Sequence, residues 1–366
     1  MPYGRRLLRI GRGLEPKVEL MDWRKLHNKY RRARRRACNR RLVRYSVEEV
    51  LPARKPAGPK ELMLVCSVMN GMLFLPSFLR HYRTLGVRHF VFAVDARSED
   101  DTQEVLCMES DVTVLRFNEV DGVSPGPQAV REELLQRYAV GRWCLHVDID
   151  EFFDFPHSDK VSLPHVLEYL GAQGYNAMFC LMLDRFADGD LRGQETDPEQ
   201  DLSLQYPWYD LTGLRWEPYG RKFYRNAHKP HPLLRVPYGG IMNSCFESRP
   251  LLMKHPLIRF DPSMRMMTHY FQNMLVADVT GVLNHYRFVS DVRRRVGHFL
   301  SDGERHSLER YSELARRLEG DQPVLLKQPS SRRWRSVEDL VDQGVLLESE
   351  VYRDWVARCQ ERTSPA

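Results

Sequence analysis

Between Leu62 and Asp184 the apolar positions of this chain fall into a repeating order. Short apolar runs alternate with longer segments in which apolar residues recur every three or four positions, and polar turns separate the two. "LMLVCSVM" reads as a buried strand, and "LFLPSFLRHYRTLG" as a helix with Gly86 as its stop signal. "HFVFAVD" predicts a second strand ending at Asp95, followed by the turn "ARSEDD" and a short helix over "TQEVLCMES". "VTVLRF" predicts a third strand. In "QAVREELLQRYAVG" the residues Val130, Leu134 and Tyr138 share one helical face. "LHVDIDEFFDF", Leu145 to Phe155, reads as a fourth buried strand with Leu145, Val147 and Ile149 alternating, and "YNAMFCLML" as a fifth that ends at Asp184.

Strands alternating with helices predict an α/β fold built on a mainly parallel, doubly wound sheet with flanking helices. Ligands of such sheets bind beyond the carboxyl ends of the strands. Asp95 and the cluster Asp148, Asp150 and Glu151 all end strands, so they are expected on one rim. After Asp184 the acidic, turn-rich stretch from Phe186 to Tyr206 predicts a mobile loop. The region from Trp208 to Tyr286 is less regular, and helices are expected in the tail at "SLERYSELARRLEG" and "SVEDLVDQG".

Composition narrows the class. An apolar fraction of 42% is that of a globular protein. The longest apolar stretch, Leu62 to Leu79, is interrupted by Asn70, Gly71 and Pro76, which argues against a membrane span. "MPYGRRLLRIGRG" lacks the apolar core of a signal peptide. The seven cysteines are scattered without a CxxC pair, the usage of a reducing compartment and not of a zinc site. A cytoplasmic protein is expected.

Charge is unevenly divided. Residues 1–60 hold 19 Lys plus Arg against 5 Asp plus Glu, or +14, so the total of +6 leaves −8 for the remainder. The basic part is helix-compatible from Asp22 to Leu51 and is followed by the linker "PARKPAGPKE". Three regions are therefore expected: a basic N-terminal helical arm and linker over 1–60, a catalytic domain over 61–300, and a helical C-terminal tail over 301–366. The arm reads as a solvated charge run, a nucleic-acid patch or a membrane-surface helix. Because the rest of the chain is acidic, the reading preferred is an anionic membrane surface on its inner, cytoplasmic face, with nucleic acid the lesser alternative.

The chemistry concentrates in "HVDIDEFF". Asp148 and Asp150, two apart on an extended strand, would point the same way, and such a carboxylate pair suits Mg²⁺ or Mn²⁺ when substrate phosphates complete the shell. The plain alternative is a solvated strand end salt-bridged to arginines.

On "VCSVMNGMLFLPSFLRHYRTLGVRHFVFAVDARSEDDT", "GRWCLHVDIDEFFDF" and "LNHYRF", the chain resembles the GT-A nucleotide-sugar glycosyltransferases, specifically their family 2-like branch. The resemblance covers roughly residues 62–290. It departs from the family at Asn70-Gly71, where an Asn-Glu is usual, and in the turn Asp95-Ala96-Arg97-Ser98. It implies a GT-A (Rossmann-like) fold and a nucleotide-sugar donor, with UDP favoured. Asp95 and Arg131 would face the nucleotide, and Asp148, Asp150 and His285 would hold Mn²⁺ or Mg²⁺ on the diphosphate. It further implies transfer, with inversion, to a hydroxyl of a glycan or lipid-linked acceptor, as in surface polysaccharide or glycolipid synthesis. The family's usual Glu-Asp base is missing from "RFDPSMRMMTHYF", where Asp261 and His269 are the groups able to accept a proton, and Asp184 is a further candidate. Two other functions stay open. A haloacid-dehalogenase-like phosphatase also uses Asp-x-Asp, though on the first central strand, and a nucleic-acid-binding protein would use the arm but leave the acids unexplained.

Overall fold

The computed structural model describes residues 42–119, 125–220, 230–267, 270–301 and 305–363. Strands β1 (Val47–Leu51), β2 (Met63–Val68), β3 (His89–Asp95), β4 (Val112–Phe117) and β5 (Trp143–His146) come first. Helices α1 (Leu75–Thr84), α2 (Thr102–Met108) and α3 (Pro127–Tyr138) connect β2 through β5. Then follow β6 (Glu151–Asp154), α4 (Leu163–Ala172), β7 (Ala177–Asp184), a hairpin of β8 (Leu214–Pro218) and β9 (Arg235–Gly239), and α5 (Ile241–Phe246). The chain continues through β10 (Met253–Arg259), β11 (Gly281–His285), α6 (Val292–Ser301), α7 (Arg305–Glu319) and α8 (Glu350–Thr363).

One nine-stranded sheet runs in the order β1-β4-β3-β2-β5-β10-β7-β11-β6. β2 pairs in parallel with β3 and β5, β3 with β4, and β7 with β11. β10 is antiparallel to both β5 and β7, and the edge strands β1 and β6 are antiparallel to their neighbours. Thus β2, β3, β4, β5, β7 and β11 all point one way, and their carboxyl ends form a single rim. The expected α/β class, a mainly parallel sheet flanked by helices, is what the chain folds into.

The apolar strands are nearly continuous because both faces are covered. Leu64, Cys66 and Val68 pack on one side with Phe74, Phe78 and Tyr82 at α1 and with Val166 and Leu170 of α4. Met63 and Val65 pack on the other with Val130, Leu134 and Leu135 of α3. The period-two alternation of a strand sends successive residues to opposite layers.

Four sequence expectations are corrected. Leu145 to Phe155 is not one strand: β5 ends at His146, the Glu151 N–H donates to the Asp148 carbonyl at 3.1 Å, and β6 pairs with β11 at the far edge. The Glu151 carboxylate fastens this turn by accepting the Asp148 N–H at 2.9 Å. The sheet begins at Val47, not at Leu62; Val43 and Val47 are buried in the core, so the Pro-rich linker joins two strands of one sheet. The acidic stretch after Asp184 is packed, with Phe186, Leu191, Leu202 and Tyr206 buried. The tail is not separate either, since Leu340, Tyr352 and Val356 share the core of α1 and α4. The greater part of the basic arm, residues 1–41, lies outside the described residues. Among the described residues, no helix is long and apolar enough to cross a membrane.

Candidate functional site

The turn after β5 carries the chain from the middle of the sheet to its edge, across the rim where β7 and β11 end. Strand register places Glu151, His285 and Asp184 side by side, one from each of β6, β11 and β7. A buried carboxylate is costly unless it is paired. Each acid here meets a cation.

Asp148 and Asp150 diverge because they lie in a turn. The Oδ1 of Asp148 is 3.1 Å from Nη1 of Arg131, a buried residue near the start of α3. Its Oδ2 accepts from Lys254 Nζ at 3.0 Å. Lys254, near the start of β10, has a fully buried side chain and also donates to Glu151 Oε2 at 2.5 Å. Burial pushes the Glu151 carboxyl up, against the pull of Lys254.

Asp150 faces the other way. Its Oδ2 accepts from Arg295 Nη1 at 2.6 Å and lies 3.5 Å from His285 Nε2. Burial opposes the charge on Asp150, yet His285 and Arg295 hold it well below the usual carboxylate range. His285 is gripped from behind: its Nδ1 lies 2.9 Å from Asp184 Oδ1, and Arg287 Nε is 3.0 Å from the same oxygen. Burial and Arg287 work against protonation of His285, but the carboxylates of Asp150 and Asp184 prevail and raise its pKa to about 9.

A histidine whose Nδ1 is tied to a carboxylate and whose Nε2 faces a second carboxylate has the second-shell arrangement common at metal sites. Asp150 and His285 could hold a divalent cation that takes the place of the proton on His285 Nε2. Asp148 lies against Arg131 and Lys254 while Asp150 lies against Arg295 and His285, so the two carboxylates face different partners and do not point the same way as expected. Among the described residues, no group of three His, Cys, Asp or Glu side chains is arranged to hold a metal. Two protein ligands suit Mg²⁺ or Mn²⁺ completed by substrate oxygens and water.

The other candidates divide. Arg131 is brought against Asp148. Asp95 ends β3 on the rim, its carboxylate accepting from Arg97 Nε at 3.0 Å and Nη2 at 2.7 Å. Asp261 is a correction: it follows antiparallel β10, whose last residue Arg259 pairs with Trp143 at the start of β5, so it sits at the opposite end of the sheet. There it caps a turn, accepting the Ser263 N–H at 2.8 Å. Asp184 is the partner of His285 and Arg287, which fits it for positioning more than for proton abstraction. His269 lies outside the described residues.

Sequence reasoning missed Lys254, Arg287 and Arg295. A signal existed for the first, because a lone lysine in the apolar run "LLMKHPLI" is buried only with a partner. Arg295 sits in "VRRRVGHF", which is indistinguishable from a solvated basic helix face.

No protein-family model matches the sequence, and no curated protein matches it. Solved structures with partial similarity include Staphylococcus aureus TarS residues 1–349, at 15% identity and a TM-score of 0.27, over 36% of this chain and 40% of that one. The same TarS fragment in complex with UDP-GlcNAc gives 16% identity and a TM-score of 0.28, over 34% of this chain and 35% of that one. The mannosyltransferase PcManGT from Pyrobaculum calidifontis, in complex with GDP-Man and Mn²⁺, gives 15% identity and a TM-score of 0.26, over 40% of this chain and 42% of that one. These three matches each span less than half of either chain.

Proposed function

We propose that the protein is a glycosyltransferase that moves a sugar from a nucleotide-sugar, with UDP as the favoured nucleotide, to a hydroxyl acceptor. What carries this reading is the turn bearing Asp148 and Asp150 on the carboxyl rim, with His285 directed at Asp150 and backed by Asp184. The segments of the GT-A resemblance that carry Asp95, Asp148, Asp150 and His285 meet on that rim. A phosphatase of the haloacid-dehalogenase type is disfavoured, because its Asp-x-Asp ends the first central strand, whereas Asp148 follows β5, after β2, β3 and β4 of the sheet.

In this reading Asp150 and His285 would hold Mn²⁺ or Mg²⁺, which when bound neutralises charge developing on a diphosphate leaving group. Asp184 and Arg287 fix the His285 ring so that Nε2 faces Asp150. Lys254 and Arg131 fix Asp148 and with it the turn. By the resemblance, Asp95 and Arg131 would face the nucleotide. The acceptor hydroxyl attacks the anomeric carbon from the face opposite the diphosphate, giving inversion, and its proton passes to a base. With Asp261 on the wrong rim and Asp184 engaged, His269 is the remaining sequence candidate for that base. Surface polysaccharide or glycolipid synthesis at the cytoplasmic face of a membrane, reached through the basic arm, completes the proposal.

The test is a thermal-shift panel of nucleoside diphosphates with and without Mn²⁺, since a ligand that binds only the native state raises its melting temperature. UDP should stabilise the wild type only with metal, and Asp150→Asn should lose that effect while keeping its fold. Full metal-dependent stabilisation in Asp150→Asn would remove the basis of the assignment.

A further inference from the structure

Arg295 is bonded through both terminal nitrogens. Besides its bond to Asp150 Oδ2, its Nη2 donates to the carbonyls of Arg287 at 2.7 Å and Tyr286 at 3.2 Å. Its Nε is 2.9 Å from Asp291 Oδ1, and the guanidinium lies over the Phe74 ring at 5.4 Å from the centroid. The oxygen that Arg295 occupies is the same Oδ2 that stands 3.5 Å from His285 Nε2. A divalent ion joining Asp150 to His285 along this line would share this oxygen with Arg295. An ion there would also bring two positive charges against a guanidinium within hydrogen-bonding distance of the shared ligand, and like charges at that range repel strongly in a site shielded from water.

We propose that Arg295 is the resident cation of this site, holding Asp150 until a divalent ion displaces it, so that the Arg295–Asp150 pair and metal binding exclude one another. The proposal rests on the reading that Asp150 and His285 hold the metal. It implies that the free protein's affinity for metal is lowered by the strength of the pair. By reciprocity, metal weakens the hold of Arg295 on the segment from Tyr286 into α6.

Calorimetric titration of the full chain with MnCl₂ alone, without nucleotide, tests this. Arg295→Gln should bind Mn²⁺ more tightly than wild type by about tenfold, a typical coupling between competing interactions. Asp291→Asn loosens Arg295 without removing it and should shift affinity the same way by a smaller factor. Asp150→Asn should bind no Mn²⁺. If Arg295→Gln does not fold, as judged by circular dichroism, the Asp291→Asn result decides alone. Unchanged affinity in the folded Arg295 and Asp291 variants, with binding lost in Asp150→Asn, overturns the competition and leaves the metal site standing. If none of these proteins binds Mn²⁺ alone, the same titration with UDP present, whose oxygens complete the shell, decides: equal Mn²⁺ affinities of wild type and Arg295→Gln overturn the competition, and no Mn²⁺ binding there removes the metal reading with it.

Discussion

Replacing Lys254 by methionine isolates the electrostatics of the turn, because it keeps length and removes charge. Glu151 has no exposed side-chain surface, and its Oε1 has no hydrogen-bond partner. Its Oε2 relies on Lys254 and on the Asp148 N–H. Without Lys254 the carboxylate is buried beside Asp148 without its bonded counter-charge, a situation that costs about 3–5 kcal/mol. The alternative open to the protein is to protonate Glu151, which limits the loss. Forcing a carboxyl with an ordinary pKa of about 4.3 to be neutral costs about 1.4 kcal/mol per pH unit above that value. The limit is therefore about 5 kcal/mol at pH 8 and about 2 kcal/mol at pH 5.5. The sign follows, because a carboxyl whose folded pKa is raised contributes stability at low pH and loses it as pH rises through that value. Urea unfolding of Lys254→Met at the two pH values should show a destabilisation that is clearly larger at pH 8. Lys254→Met/Glu151→Gln should recover much of it, because removing both partners of a buried pair is far milder than removing one. An equal loss at both pH values, or a double variant no more stable than the single one, would refute the account.

Three further outcomes are expected. His285, raised to about 9, adds stability that is complete below about pH 6.5 and lost as pH rises toward 9, worth about 3 kcal/mol in the metal-free protein; His285→Gln should flatten this limb of the urea midpoint, and a wild type equally stable at pH 6 and pH 9 would contradict it. A Cβ on Gly281 would stand 2.7 Å from the Asp154 carbonyl oxygen and 2.9 Å from Cys180 Sγ, so Gly281→Ala should cost about 1–3 kcal/mol, and an unchanged melting temperature would show that β6 gives way freely. Removing residues 1–41 should abolish salt-sensitive sedimentation with anionic liposomes and spare UDP binding, whereas cutting to residue 55 also strips β1 from the sheet and should lower the melting temperature; liposome binding that survives the shorter cut would disprove the role of the arm.

The strands around the rim could be read from the sequence because their apolar runs are buried on both faces, and the helices because each lays an apolar side on the sheet. The turn at Asp148 could not, since the alternation of Leu145, Val147 and Ile149 runs straight through it. What bends the chain is a side chain, Glu151, bonding to a backbone N–H three residues earlier, an event without a hydrophobic period.

The partners of the acids were hidden for a different reason. Lys254 is 106 positions from Asp148 and Arg295 is 145 from Asp150, distances over which only the folded topology decides who meets whom. The same topology decides against Asp261. Distance along the chain from the acid pair makes it a reasonable base, but the strand before it is antiparallel to β5 and β7, and that reversal delivers its end to the far side of the sheet. Lys254 lies near the start of β10 and Asp261 just past its end. The strand's direction puts the lysine among the acids and the aspartate away from them, so one reversed strand both supplies the counter-charge of the site and withholds the expected base.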